Sequence, residues 1–286
     1  MTHLLAVCSI LLYIVVTVLH LVQLWRPSRA GRSTRSAQVC FIAAFILHTA
    51  TMALVFAEPH LLVLDNGGDY FLWVSWATAL MYLIFRKRLG YPIVGAFVVP
   101  AIVLFMGSSS YLLHKSAASL VEAVEGSTRA EVWLSVVHGV PALISVVSLV
   151  LALVVSSVFL IVERRLKRRP AALLQSSGPN LQILDLLNKQ LIQVGFVAIS
   201  LVIVSGGLWA VSQQKPVFSL DSSVVSGILI WLFLACILHV RLVLRWSPKK
   251  MSRLTVAVTA LFFVSEFVVF VLAGRLTHAS LWSSGI

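Results

Sequence analysis

Eight runs of apolar residues, each about long enough to cross a bilayer, follow one another along the chain. They cover 2–25, 37–57, 70–86, 91–108, 132–162, 190–212, 223–245 and 252–274. A membrane-spanning helix needs about 20 such residues. Hydrocarbon leaves the backbone no partner but itself, so runs of this kind fold as helices. The pattern predicts an all-α, polytopic membrane helix bundle of about eight transmembrane helices, organised as one membrane domain over 1–286. Three polar connections are longer than the rest: an outer loop at 109–131, an inner segment at 163–189 and an outer loop at 212–222. In the first, Leu120, Val121 and Val124 alternate with Glu122 and Glu125, which predicts a short amphipathic helix on the outer surface. In the second, Leu181, Leu184 and Leu187 recur at helical spacing, which predicts a segment lying along the inner interface before the sixth span.

The charges orient this bundle. Basic residues gather in four clusters: Arg26/Arg29/Arg32/Arg35, Arg86/Lys87/Arg88, Arg164/Arg165/Lys167/Arg168/Arg169 with Lys189, and Arg241/Arg245/Lys249/Lys250/Arg253. Only Lys115, Arg129, Lys215 and Arg275 stand outside them, and most of the acids fall in the gaps between. Cytoplasmic loops collect Lys and Arg, so the clusters mark the cytoplasmic side. An even number of spans then puts both termini outside the cytoplasm. The first span lacks a basic n-region and a small-residue cleavage site, and reads as a retained helix.

Composition changes the picture little. The chain is 59% hydrophobic and 11% charged, with a mean hydropathy of +0.99, outside the range of soluble globular domains. A sequence pI near 10.3 would suggest nucleic acid in a soluble protein. Here positive-inside bias and contact with anionic lipid account for it, and no nucleic-acid partner is expected. Cys8, Cys40 and Cys236 all sit in apolar runs without a CxxC pair. They read as small packing residues rather than a redox or zinc motif. GxGxxG, Walker and GxSxG patterns are absent, and no enzyme activity is expected.

Histidine is the remaining chemistry. His138 opens the fifth span at the outer surface and His278 follows the eighth at the same surface. His48 lies near the middle of the second span and His239 in the inner half of the seventh. Imidazole is a common metal ligand, and two opposed imidazoles can hold a haem iron in an apolar site between helices. Two pairs at two depths suggest two haem positions. An intramembrane His also serves as an interhelical hydrogen-bonding group, and His20 sits at a depth similar to that of His239, so spacing leaves the pairing open. Glu266 is the one acid inside the predicted spans. It stands twelve residues before His278, roughly 18 Å along a helix and about 120° away in azimuth, so the two do not share a face. A proton-relay role and an interhelical hydrogen bond are both open to it.

Several pieces, in order, resemble the cytochrome c assembly family of CcsA-like and HemX-like membrane proteins, over nearly the whole chain. They are Ile46-Leu-His48, Asp69 through Trp76 with Tyr82 to Arg86, Gly95 to Pro100, and Val136-Val-His138 running into Glu163-Arg-Arg-Leu-Lys167. Then come Leu187-Asn188 with Gly195-Phe196, Gly206-Gly-Leu-Trp209-Ala210, Leu238-His239-Val-Arg241, and Gly274 to His278. The resemblance implies a haem-handling protein of the bacterial cytoplasmic membrane. It pairs His138 with His278 as an outer haem site and His48 with His239 as an inner one. The partners it implies, besides lipid and haem, are other cytochrome c assembly proteins or an apocytochrome.

Members of that family carry an outer-loop motif resembling WGxxWxWD. Gln214, Phe218 and Leu220 stand at its Trp positions here, and Asp221 keeps its Asp. Trp209, Phe218 and Asp221 are therefore the candidate pocket residues, with one aromatic left where three are expected to face a porphyrin. The chain thus resembles the shorter, HemX-like members. That leaves a regulatory or scaffolding role in haem metabolism as the alternative to haem delivery. A secondary transporter is disfavoured, because neither an inverted repeat nor a pair of broken helices is visible.

With both termini outside the cytoplasm, a reporter active only on the outer side should be active when fused after Ile286. Activity of a cytoplasm-specific reporter at that position would overturn the topology and the outer-surface site together.

Overall fold

The computed structural model describes residues 2–25, 34–55, 67–86, 91–116, 129–168, 179–212 and 222–283; the side chains at 25, 67–68, 111–116, 129–132, 135, 222–223 and 267–283 are outside that description. The described chain forms eight helices: α1 (Thr2–Trp25), α2 (Arg35–Val55), α3 (Gly67–Ile84), α4 (Pro92–Ser116), α5 (Arg129–Arg168), α6 (Leu181–Ser212), α7 (Ser222–Leu242) and α8 (Pro248–Ser283). Each coincides with one predicted apolar run. Six of them (α1, α2, α4, α5, α6 and α7) are long and apolar enough to cross a membrane, as the all-α membrane bundle requires. Together with the family relationship below, they make this a multi-pass membrane protein.

The boundaries follow local chemistry. Thr34 accepts the Ala37 N–H through its hydroxyl at the start of α2, and Asn180 accepts the Gln182 N–H at 2.8 Å at the start of α6; both are N-caps that satisfy otherwise orphaned donors. Pro92 and Pro248 occupy first helical positions, where a missing N–H costs nothing. Pro100 and Pro141 lie inside helices, and Pro141 removes the hydrogen bond that the Val137 carbonyl would otherwise accept.

Some helices outrun the predicted spans. The stretch 181–189, expected along the interface, is the beginning of α6 and continues into the span without a break. Helix α4 runs on to Ser116, into the predicted outer loop, whose centre at 117–128 lies outside the described residues, as does 169–178 of the predicted inner segment. Helix α8 continues through His278.

Two apolar clusters fill the bundle. One joins α1 to α5 and reaches Leu184 and Leu187 of α6; the other joins α5, α6, α7 and α8. Helix α5 belongs to both: Val147, Leu151 and Val155 pack in the first cluster, Leu149 and Ala152 in the second. Its membrane stretch is the most enclosed in the protein, whereas α1 exposes Leu4, Val7, Leu11, Val15, Val18 and Val22 along one stripe. That stripe recurs at helical spacing and reads as lipid-facing surface.

Two ion-pair groups pin the second half toward the basic end. Arg241 of α7 donates to Asp185 of α6 at 2.6 Å. Lys249 of α8 and Lys167 of α5 both donate to one oxygen of Glu163, at 3.0 and 2.9 Å. Cys8, Cys40 and Cys236 are all free thiols.

The tightest interhelical approach described is at Gly95 of α4, where an added Cβ would lie 2.4 Å from the His20 ring of α1. His20 is only 2% exposed, so the ring has no free space to move into. Gly95→Ala should lower stability by about 1–3 kcal/mol, the usual cost of overpacking, read as a lower thermal midpoint in detergent. The double variant Gly95→Ala/His20→Ala should recover most of that loss. A Gly95→Ala protein as stable as the parent would show that α1 and α4 do not meet this closely.

Candidate functional site

The sequence points to histidines, and the structure places three of the four paired candidates with their side chains. His138 lies on α5, two residues before the more open turn at Val140–Pro141. Its Nδ1 is 3.2 Å from the Ser205 hydroxyl of α6, and its ring meets the edge of Trp209 at 5.8 Å between centroids, nearly perpendicular. Ser205 also donates to the Leu201 carbonyl of its own helix at 2.7 Å. Gly206 makes room for this arrangement, since a Cβ there would stand 3.2 Å from His138 Cε1. The resemblance names Trp209 as a candidate pocket residue, and the structure sets it against the His138 ring. Ser205 and Gly206 carried no signal of their own: a Ser and a Gly in an apolar run are ordinary until a neighbouring helix is known.

His48 is fully buried on α2. Its Nε2 lies 3.3 Å from the Ser75 hydroxyl of α3, and its ring meets Tyr13 of α1 edge-on at 6.0 Å. Ser75 also donates to the Leu72 carbonyl at 2.8 Å. This is a packed, three-helix contact. His239 is an exposed side chain in the last turn of α7. Helix α2 packs on α1 and α3, whereas α7 packs on α6 and α8. The two histidines share no hydrogen bond or ring contact, and the structure does not bring this pair together. His278 lies on α8 beyond the described side chains. Phe218 and Asp221 lie outside the described residues. Helix α8 does pack against α5, the helix that carries His138.

His20, whose depth is similar to that of His239, is instead buried against Gly95, far from α7 in the order of packing. Among the described residues, no cluster of His, Cys, Asp and Glu could hold a bare metal ion.

A cleft of about 450 Å³ lies between α3, α5 and α6, lined by Met81, Phe85, Leu143, Leu151, Leu191 and Gln193 among others. It is almost wholly apolar, and no imidazole lines it. No periodicity in the sequence announces it, because it arises from the shapes of side chains on three separate helices.

Residues 66–276 match the model of the family described as cytochrome C assembly protein, and the chain belongs to that family. Among similar proteins is the cytochrome c biogenesis protein CcsA of Prochlorococcus marinus strain MIT 9303, 24% identical over 264 residues, which cover 82% of this chain and 81% of the relative. That of Synechococcus sp. strain RCC307 is 25% identical over 84% of this chain and 83% of its own length. That of Chlamydomonas reinhardtii is 26% identical over 193 residues, 65% of this chain, and the match spans about half of that relative, 52%.

Replacing Gly206 by Ala should push the His138 ring by a few tenths of an ångström and leave the fold intact. Histidine NMR of protein labelled at the ring nitrogens should show the His138 resonances moved while those of His48 stay in place. Unchanged His138 resonances would place this imidazole away from α6.

Proposed function

We propose that this protein acts in cytochrome c assembly as a haem-binding carrier, with His138 as a haem ligand at the outer end of α5, and that it handles haem as cargo without catalysing bond chemistry. The observation that carries this reading is the His138–Ser205–Trp209 arrangement. A ligating histidine generally has its second ring nitrogen held by a hydrogen-bonding partner, which fixes the tautomer and the direction of the first; Ser205 stands in that place at 3.2 Å from Nδ1. An indole edge beside the imidazole supplies apolar surface of the kind a porphyrin face requires. His278, further along α8, is the second axial ligand in this reading, since α8 packs on α5. Bound haem supplies an iron that accepts the two imidazoles; the protein's part is to orient His138 and exclude water around it.

The inner site has weaker support. His48 is occupied by Ser75 and Tyr13, and His239 is exposed. Family membership and the names of the similar proteins support the cytochrome c setting. The substitution of Gln214 and Leu220 for aromatic residues in the outer loop favours binding and holding over presentation to an apocytochrome.

The reading is tested by titrating haemin into detergent-purified protein and recording oxidised and reduced absorption spectra. The parent should develop the spectrum of a bis-imidazole haem. His138→Ala should lose it, and Ser205→Ala should weaken binding by about tenfold, as loss of a supporting hydrogen bond does. His239→Ala should bind as the parent does. Absence of that spectrum in the parent, or its persistence in His138→Ala, would remove the haem-carrier reading and leave a scaffolding role in haem metabolism.

A further inference from the structure

Buried polar groups of the second half of the bundle line up on facing stripes of α5 and α8. On α8, Ser252, Thr255, Thr259 and Glu266 fall within about 60° of one another on a helix of 3.6 residues per turn. On α5, Ser145, Ser156 and Glu163 fall within about 20°. The stripes face each other: Glu163 takes a hydrogen bond from Lys249 at 3.0 Å, and Leu149 and Ala152, on the α5 stripe, share a core with Met251 and Val258 of α8. The helices are antiparallel, so this register sets Ser156 opposite the turn holding Ser252 and Thr255, and Ser145 opposite Glu266. Helix α6 closes the third side, where Asn188 donates to Thr255 at 3.4 Å.

Ser156, Ser252, Thr255 and Thr259 are each 0% exposed and Asn188 is 1% exposed. Of these, the Ser156 and Ser252 hydroxyls and the Asn188 carbonyl oxygen have no protein partner. One oxygen at each end is likewise unpartnered and buried: Oε2 of Glu163 and Oε1 of Glu266. An unpaired polar group is costly in a low-dielectric interior, and an intramembrane acid is a functional candidate, ion and proton pathways among its roles. Five such atoms, three in the middle and a carboxylate at either end, form a pattern that helix packing alone does not require.

We propose that the α5–α6–α8 seam is a proton path connecting the basic face of the bundle, at Glu163, with the intramembrane carboxyl of Glu266. It is lined by hydroxyls, which both donate and accept, with a carboxyl group at either end, so a proton carried through hydrogen-bonded hydroxyls and water fits it. From Glu163 to Ser156 is about 10 Å of helix, and from Thr259 to Glu266 about the same. Side chains on a helix lean toward its N-terminus, so Glu266 reaches back toward Thr259. Each remaining gap is a few hydrogen-bond lengths of about 2.8 Å. The charged and titratable groups facing the path are Lys249 of α8, Lys167 of α5 and Arg241 of α7 at the basic end, and Tyr70 of α3, close enough to Glu266 to interact electrostatically. The path is independent of haem binding.

Hydrogen–deuterium exchange of the Glu266 carboxyl tests it directly. Infrared difference spectra of the parent and Glu266→Gln in lipid nanodiscs identify the Glu266 band. On transfer to heavy water, the parent band should shift rapidly. In Ser156→Ala/Ser252→Ala it should shift severalfold more slowly, with helicity and elution volume unchanged. If the double variant does not fold, Ser156→Ala alone should show the slowing in smaller measure. A parent band that exchanges no faster than the buried amides overturns the proposal. So does a rate unchanged in the folded serine variants, which would make the hydroxyls packing groups only.

Discussion

Hydrocarbon can neither donate nor accept a hydrogen bond, and this deficit governs where the polar side chains of the bundle sit. Helices α1, α6 and α7 can turn an apolar stripe toward lipid, as α1 does with Leu4 through Val22 and α6 with Val194, Val197, Leu201, Val204 and Leu208. Helix α5 does so only near its start, at Trp133, Val137, Val140 and Ile144; from Ser145 to Val162 other helices cover it on most sides. It is therefore the place where hydroxyls can be hidden from lipid, and Ser145, Ser148 and Ser156 are all buried there. The haem-ligand candidate and the proposed proton path both lie on α5, at different levels along it.

Burial also separates the two inner histidines. His48 has a hydroxyl at its Nε2 and an aromatic edge beside its ring, while its buried Nδ1 has no protein partner. His239, near the end of α7, is exposed beside Arg241, whose guanidinium is engaged by Asp185. An imidazole within reach of the aqueous interface keeps its hydration. One is a packed group of the first half, the other a peripheral group of the second. A shared ligand would have to draw them across α5, the helix common to both halves.

Much of this bundle was legible in the sequence, because span formation depends on a one-dimensional property. Each apolar run became a helix, and caps at Thr34, Asn180, Pro92 and Pro248 ended or began them where side-chain chemistry dictates. The continuity of α6 from Leu181 was missed, since apolar spacing at 181–187 fits an interfacial helix and the first turns of a span equally well; contact of Leu184 and Leu187 with the core decides it. For the site, depth was readable and neighbours were not. Counting residues from a basic cluster gives a histidine's level in the bilayer, but which helix it faces depends on azimuth and packing order. That is why the resemblance could name Trp209 as a pocket candidate without tying it to one histidine, while Ser205, Ser75 and Gly95, the residues that touch the three buried or half-buried imidazoles, gave no sign of those contacts.

The partners of those imidazoles show how the surroundings differentiate them. Ser205 and Ser75 each donate to a carbonyl of their own helix, at 2.7 and 2.8 Å. Each hydroxyl has a single proton, and spending it there leaves the oxygen as an acceptor toward the imidazole. The nitrogen that faces it is then the N–H one: Nδ1 in His138, Nε2 in His48. In His138 the lone pair is then on Nε2. In His48 it is directed through Nδ1, which is buried without a protein partner in a fully enclosed ring. Two serines in the same role thus meet different ring nitrogens, Nδ1 in His138 and Nε2 in His48.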